Sequence, residues 1–165
     1  MTATRGFPVE GGCGCGAVRY RMEAPPLFVH ACHCTWCQRE TGTAFALNAM
    51  IEADRVTLLN GAPKLVFTPS NSGTGQMIAR CPTCEIAVWS TYGGAGDVVR
   101  FVRVGTLDHP SAAPPDIHIF TSTKQAWVRL PPGTPAVGEY YDREAHWPRD
   151  SLERWKIFLG SRPRG

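Results

Sequence analysis

Apolar and polar residues alternate along the chain in short runs cut by Gly, Pro, Asn and Asp, the period of half-buried strands rather than of helices. In residues 17–22, Val18, Tyr20 and Met22 fall on one face, and comparable runs occupy 27–31, 44–51, 55–59, 64–68, 76–80, 86–92, 98–107, 117–121 and 126–130. Asn60-Gly61, 71–75 and 93–96 read as turns, because Asn and Gly tolerate positive φ. Residues 110–115 and 131–135, each bounded by Pro, read as ordered loops or coverings, since Pro cannot serve a central strand. Helical spacing is confined to two places. Residues 35–40 predict one or two turns stopped at Gly42. Residues 151–159 predict a C-terminal helix capped by Asp150 or Ser151 and ended by Gly160, with Leu152, Trp155, Ile157, Phe158 and Leu159 on its apolar side. No repeat or compositional break divides the chain, so the expectation is a single mainly-β domain over residues 1–165.

Composition narrows the function classes. With 43% hydrophobic and 19% charged residues the chain can bury a core. Its 17 Lys and Arg against 14 Asp and Glu leave a formal charge of +3, dispersed apart from mixtures such as 149–154 and the Arg162/Arg164 pair. That is not the footprint of a nucleic-acid binder, and no nucleic-acid partner is expected. No apolar stretch approaches the roughly 20 residues of a bilayer span, so no membrane partner is expected either. Residues 1–12 lack the apolar centre of an export signal, with Arg5 and Glu10 interrupting them, and the expected location is cytoplasmic. Residues 93–96 do not make a phosphate loop, lacking the Lys-Ser/Thr ending and a following helix.

Seven cysteines change the picture. They cannot all pair within one chain, and in a reducing compartment clustered thiols point to metal or catalysis. They form three groups: Cys13/Cys15, Cys32/Cys34/Cys37 and Cys81/Cys84. Thiols two or three positions apart can direct both sulfurs at one point but are poorly placed for an ordinary disulfide to each other. Cys13, Cys15, Cys81 and Cys84 together would make a closed tetrahedral zinc site joining distant parts of the chain. Cys32, Cys34 and Cys37 would then remain as three sulfurs with a vacant corner, the pattern of a catalytic zinc. Two alternatives stay open on spacing alone. His30 or His33 would complete a second closed centre, and Cys13/Cys15 could group instead with Cys32/Cys34.

The run Gly11-Gly12-Cys13-Gly14-Cys15-Gly16-Ala17-Val18-Arg19-Tyr20, followed by Cys32-His33-Cys34-Thr35-Trp36-Cys37-Gln38-Arg39-Glu40-Thr41-Gly42, resembles the glutathione-dependent formaldehyde-activating enzyme / centromere protein V family. The resemblance continues through Phe45, the Cys81/Cys84 pair, Ile117-His118-Ile119-Phe120 and Trp127, and spans residues 9–130. It implies a β-tent fold stabilised by zinc, with Cys13, Cys15, Cys81 and Cys84 as structural ligands. It also implies Cys32, Cys34 and Cys37 as the ligands of a second, more labile catalytic zinc. Glutathione and formaldehyde, or a related thiol and small aldehyde, are the implied substrates. The chain departs from the family at Glu85, where Gly usually follows the second cysteine of the pair; a positive φ there would cost on the order of 1 kcal/mol.

Three thiolates leave a zinc formally at −1. Such a centre suits an incoming soft thiol better than it suits acidifying water. The chemistry this implies is carbon–sulfur bond formation or cleavage at an S-hydroxymethyl adduct, a lyase reaction. Gln38, Arg39 and Thr41 are candidate contacts for the thiol substrate, each with an equally ordinary role in pairing, capping or turn formation. His118 reads as a satisfied core histidine, and Trp36, Trp89 and Trp127 as packing residues. Two rival functions are a non-catalytic zinc-stabilised interaction module and an oxidised thiol sensor.

Overall fold

A computed structural model of the protein describes residues 6–93 and 98–161. The Arg162/Arg164 pair, most of the 93–96 turn and the first five residues lie outside the described residues. Among the described residues the fold has two sheets and three α-helices. Strands β1 (Val9–Gly12), β2 (Arg19–Met22) and β5 (Val56–Asn60) form a small antiparallel sheet in the order β1-β2-β5. Seven strands form the larger one: β3 (Phe28–Cys32), β4 (Ala46–Glu52), β6 (Lys64–Thr68), β7 (Gln76–Arg80), β8 (Ala87–Tyr92), β9 (Val99–Arg103) and β10 (Ile117–Ile119). Their order is β10-β3-β4-β9-β8-β7-β6, antiparallel except where β10 runs parallel to β3.

Strands β3 and β4 of the large sheet are buried on both faces, whereas the edge strand β6 is largely exposed. Alternation sends Val29, Ala49, Ile51 and Val102 into one core, where they meet Val18, Tyr20 and Met22 of the small-sheet side. Phe28, Met50, Val99, Ile117 and Ile119 enter a second core closed by Trp147, Leu152, Trp155 and Phe158 from the C-terminal segment. The expected mainly-β domain with a helix after the central cysteines and another at the C-terminus is the observed one.

Several elements differ from their predicted bounds. β1 goes unmarked in the hydrophobic pattern because Gly11 and Gly12 occupy it. Only glycine fits, since a Cβ at Gly11 would stand 2.5 Å from the Thr106 carbonyl oxygen and 2.7 Å from the Tyr20 hydroxyl. The 126–130 run forms no strand. The free edge of β10 is taken instead by the 135–137 segment: His118 N–H donates to Pro135 O and Val137 N–H to His118 O, both at 2.9 Å. The 98–107 run ends as a strand at Arg103 and passes into a 3-10 turn, Val104–Thr106. The 117–121 run stops at Ile119, because Phe120 turns left-handed at φ 54°.

Helix α1, Thr35–Thr41, ends as expected on Gly42, which takes φ 67° and donates its N–H to Gln38 O. A four-residue helix α2, Arg143–His146, is capped by Asp142, whose side chain accepts the Glu144 N–H; it is too short to leave a periodic signature. The C-terminal helix α3, Arg149–Gly160, starts earlier than predicted. Pro148 sits at its N-cap without a side-chain bond, so Asp150 and Ser151 lie inside the first turn rather than capping it. Of its expected apolar side, Leu152, Trp155 and Phe158 pack inward, while Ile157 is 73% exposed and Leu159 43%. Buried Glu52 at the end of β4 anchors α3, accepting from Arg154 Nη2 at 2.6 Å and Nε at 3.2 Å.

Candidate functional site

The loop after β1 and the turn between β7 and β8 bring Cys13, Cys15, Cys81 and Cys84 together, their four sulfurs all within 4.8 Å of one another. Each pair is shaped by its backbone. Gly16, at φ 79°, donates its N–H to Cys13 O, and Glu85, at φ 62°, donates its N–H to Cys81 O at 3.1 Å. Val18 N–H points at Cys13 Sγ at 3.3 Å, and Thr83 N–H at Cys81 Sγ at 3.4 Å. The sulfur separations test whether a metal fits. Cys13 and Cys15 are 3.6 Å apart and Cys15 and Cys81 3.7 Å. The edge of a tetrahedron with metal–sulfur bonds of about 2.3 Å is about 3.8 Å, whereas a disulfide needs about 2.05 Å. The donor set fits a tetrathiolate ion. Protonation cannot satisfy it evenly: Cys13, despite desolvation, is held down to about 6 by the Val18 N–H and its thiol neighbours. Cys15, which the Ala17 N–H draws down, is driven up to about 11 by the same thiols.

Glu85 therefore adopts the left-handed backbone that glycine would take without strain, and its carboxylate is held on the surface by Lys64 Nζ at 2.6 Å. Replacing it by Ala or by Gly removes that pair equally, so the comparison isolates the backbone. Glu85→Gly is expected to melt about 2–4 °C above Glu85→Ala in thermal denaturation, the equivalent of about 1 kcal/mol in a chain of this size. Equal melting temperatures would contradict the strain.

The second group is assembled where β3 runs into α1. Cys32 closes the strand, Cys34 is the N-cap of α1 and accepts the Cys37 N–H at 3.4 Å, and Cys37 stands in the first turn. Their sulfurs also lie within 4.8 Å of one another, and no His, Asp or Glu atom among the described residues joins them within that limit. The Cys32 and Cys37 thiols, with the Cys37 and Trp36 N–H groups behind them, hold Cys34 well below the ordinary thiol range, while the Cys34 and Cys37 thiols and burial push Cys32 well above it. Three crowded sulfurs share charge that a bound cation would balance.

Neither candidate histidine completes the triad. His33 turns away, its Nε2 3.0 Å from His118 Nδ1 and its ring against Phe45. His118 is buried as expected but only half satisfied, since His118 Nε2 and His33 Nδ1 have no partner. His30 keeps its Nε2 2.6 Å from the Tyr141 hydroxyl, and burial, helped by the charge of Arg143, lowers it to about 4. It is neutral at pH 7.

All three sulfurs border a cavity of about 680 Å³, a size typical of small-molecule sites. Met50, Val99, Phe101, Ile119, Phe120 and Trp155 supply its apolar wall; His30, Asn48, Ser70, Asn71, Ser72, Thr74, Tyr92, Tyr140 and Arg143 are its polar groups. Gln38, Arg39 and Thr41 are not among them. Gln38 Nε2 donates to His33 O at 2.7 Å and Thr123 O at 3.0 Å, tying α1 to the turn beyond β10. Arg39 faces a separate open groove with Gln125 and Trp127. Thr41 donates to Cys37 O at 2.7 Å within its own helix. The helix points one side at the cavity through Cys37 and presents these three residues elsewhere. Trp89 packs as expected, 3% exposed, but Trp127 is 70% exposed and Trp36 38%. Apart from His30, the cavity's polar groups sit in loops, strands and the short helix α2 without a motif, which is why sequence reading passes over them.

Residues 8–123 match the family described as glutathione-dependent formaldehyde-activating enzyme, about seven-tenths of the chain. The chain belongs to that family. A curated relative from Halomonas elongata, whose name assigns it provisionally to glutathione-dependent formaldehyde activation, is 27% identical over 166 aligned positions, covering 92% of this chain and 96% of the relative. A solved Rhodobacter sphaeroides protein superposes with a TM-score of 0.46 at 24% identity, covering 60% of this chain and 87% of that one. The glutathione-dependent formaldehyde-activating family match holds six of the cavity's polar groups between His30 and Thr74, with Tyr92. It ends before Tyr140, Arg143 and Trp155, so the C-terminal segment adds a wall beyond the family core. No helix among the described residues is long and apolar enough to cross a membrane.

Proposed function

We propose that this protein joins glutathione to formaldehyde, and cleaves the S-hydroxymethyl adduct in reverse, with Cys32, Cys34 and Cys37 holding a zinc ion at the cavity wall. Cys13, Cys15, Cys81 and Cys84 hold a second zinc that is structural. The observation that carries this reading is the triad: three sulfurs in reach of one ion, no fourth protein ligand among the described residues, and a cavity that all three border. Bound there, zinc supplies a soft acceptor that keeps an arriving thiol deprotonated.

The rest is done by the protein's own groups. Cys34 at the N-cap and Cys37 in the first turn of α1 are fixed by the helix backbone, so the triad is preorganised. The apolar wall keeps bulk water from the substrate sulfur and leaves it nucleophilic. In the forward reaction the sulfur's electron pair forms the C–S bond to formaldehyde. The C=O π pair moves to oxygen, which takes a proton equal to the one the thiol released. Neutral His30 and the amide of Asn48 line the same cavity as uncharged polar groups. Seven unpaired thiols suit a reducing cytoplasm.

Because thiols and formaldehyde combine unaided, the informative readout is the rate of exchange rather than the amount of adduct. Two-dimensional exchange NMR of glutathione, formaldehyde and their adduct at equilibrium should show cross-peak build-up accelerated in proportion to zinc-loaded protein. Exchange at the buffer rate, with both ions bound, would contradict the proposal.

A further inference from the structure

We propose that Arg143 receives a carboxylate of the thiol substrate, so that the cavity selects anionic thiols over neutral ones; this rests on the reading of the triad as a thiol site. Arg143 is the only formally charged side chain besides the thiols that borders the cavity among the described residues. No carboxylate among the described residues pairs with it. Its guanidinium is held by two aromatic faces, 4.9 Å from the Trp147 ring centre and 4.7 Å from that of Trp155, and it hydrogen-bonds the Tyr140 side chain, contacts that fix its position and leave other N–H groups of the fork for an arriving carboxylate.

The mount is itself tied to the sheet. Trp147 Nε1 donates to the Tyr141 hydroxyl at 2.7 Å, and that hydroxyl meets His30 Nε2 on β3 at 2.6 Å. On the wall of the same cavity the β6–β7 loop offers Ser70, Ser72 and Thr74, their hydroxyls linked at 2.9 Å, which suits amide groups of a small peptide. One cavity thus holds a sulfur site, a cation and a row of hydroxyls. A cysteine-containing peptide with a free carboxylate matches all three; a small neutral thiol matches only the first. An exposed or salt-bridged arginine would make no such selection.

The test compares four probes on the zinc-loaded full chain, by calorimetry and by quenching of tryptophan emission. Glutathione carries thiol and carboxylates, its diethyl ester lacks the carboxylate charge, S-methylglutathione cannot dock as a thiolate, and 2-mercaptoethanol has no carboxylate. Arg143→Gln is expected to weaken glutathione and S-methylglutathione about 10–100-fold while leaving the diester and 2-mercaptoethanol within about threefold. Arg143→Lys, which keeps the charge, should recover most of the loss and guards against a misfolded C-terminal wall. In turnover the change should fall on KM, with kcat held within about threefold. S-methylglutathione binding that is equal in wild type and Arg143→Gln, or a uniform loss for all four probes, overturns the assignment. Failure of 2-mercaptoethanol to bind the wild type instead overturns the triad as a thiol site, and the substrate class with it.

Discussion

Cys34→Ala is expected to bring glutathione–formaldehyde exchange down to the rate in buffer, while the fold and one of two zinc ions are retained. At pH 7 an ordinary thiol of pKa about 8.5 is only about 3% ionised, so holding it as thiolate is worth about 30-fold alone. Orientation beside the aldehyde adds to that, and a loss of at least about 100-fold follows. Stability should suffer far less. The substitution removes the sulfur that accepts the Cys37 N–H at the start of α1, and loss of such a cap costs about 1 kcal/mol. That corresponds to a melting temperature about 2–4 °C lower. Metal analysis, a thermal melt and exchange NMR on one preparation check all three parts. Retention of both ions with unchanged exchange would show that the triad is not the site.

Cys81→Ser is expected to do the opposite, destroying the fold and only thereby the activity. Cys81 is fully buried, and its sulfur lies 3.7 Å from that of Cys15, 66 positions away in sequence. An ion in this cluster closes a long loop of the unfolded chain and cross-links the β1 loop to the β7–β8 turn. Structural zinc contributes about 10–16 kcal/mol in small zinc-dependent domains, against a whole-domain stability of about 5–15 kcal/mol. Losing a ligand should lower the melting temperature by more than about 15 °C, read by circular dichroism, and strong chelators should do the same to the wild type. If Cys81→Ser yields no soluble protein, Cys15→Ser provides the measurement, because Cys15 is exposed and its replacement leaves no core cavity. Either variant melting within about 4 °C of the wild type would contradict a structural role.

The two predictions diverge because the two clusters are built differently, and that difference was partly legible in the residues. Spacing alone groups the thiols into pairs and a triad, and the side chains sort themselves accordingly. Alternation places Val18, Tyr20 and Met22 on the buried face of β2 because period-2 burial leaves a direct trace in composition. What spacing could not say is where a side chain within a motif points. His33 sits between two cysteines of the triad yet turns toward His118, since successive residues of an extended segment face opposite ways. Gln38, Arg39 and Thr41 follow the triad in sequence but project from other sides of α1, into a tether, a groove and a helix-internal bond. The reverse failure is the C-terminal wall. Arg143 and Trp155 reach the cavity from helices whose role is set by packing against β3 and β9, long-range contacts that no local pattern encodes. Ile157 and Leu159 likewise look like core residues until the single inward stripe of α3 is seen.

The open corner also separates an enzyme from a closed zinc module, and cadmium NMR of the cadmium-substituted protein reads it directly. Two resonances are expected in the free protein. Glutathione should shift only one of them, the same one that Cys34→Ala removes, as a fourth sulfur joins the triad's ion while the tetrathiolate ion stays untouched. Two resonances that both ignore glutathione would mean the triad's ion is already sealed, and the proposed chemistry could not take place there.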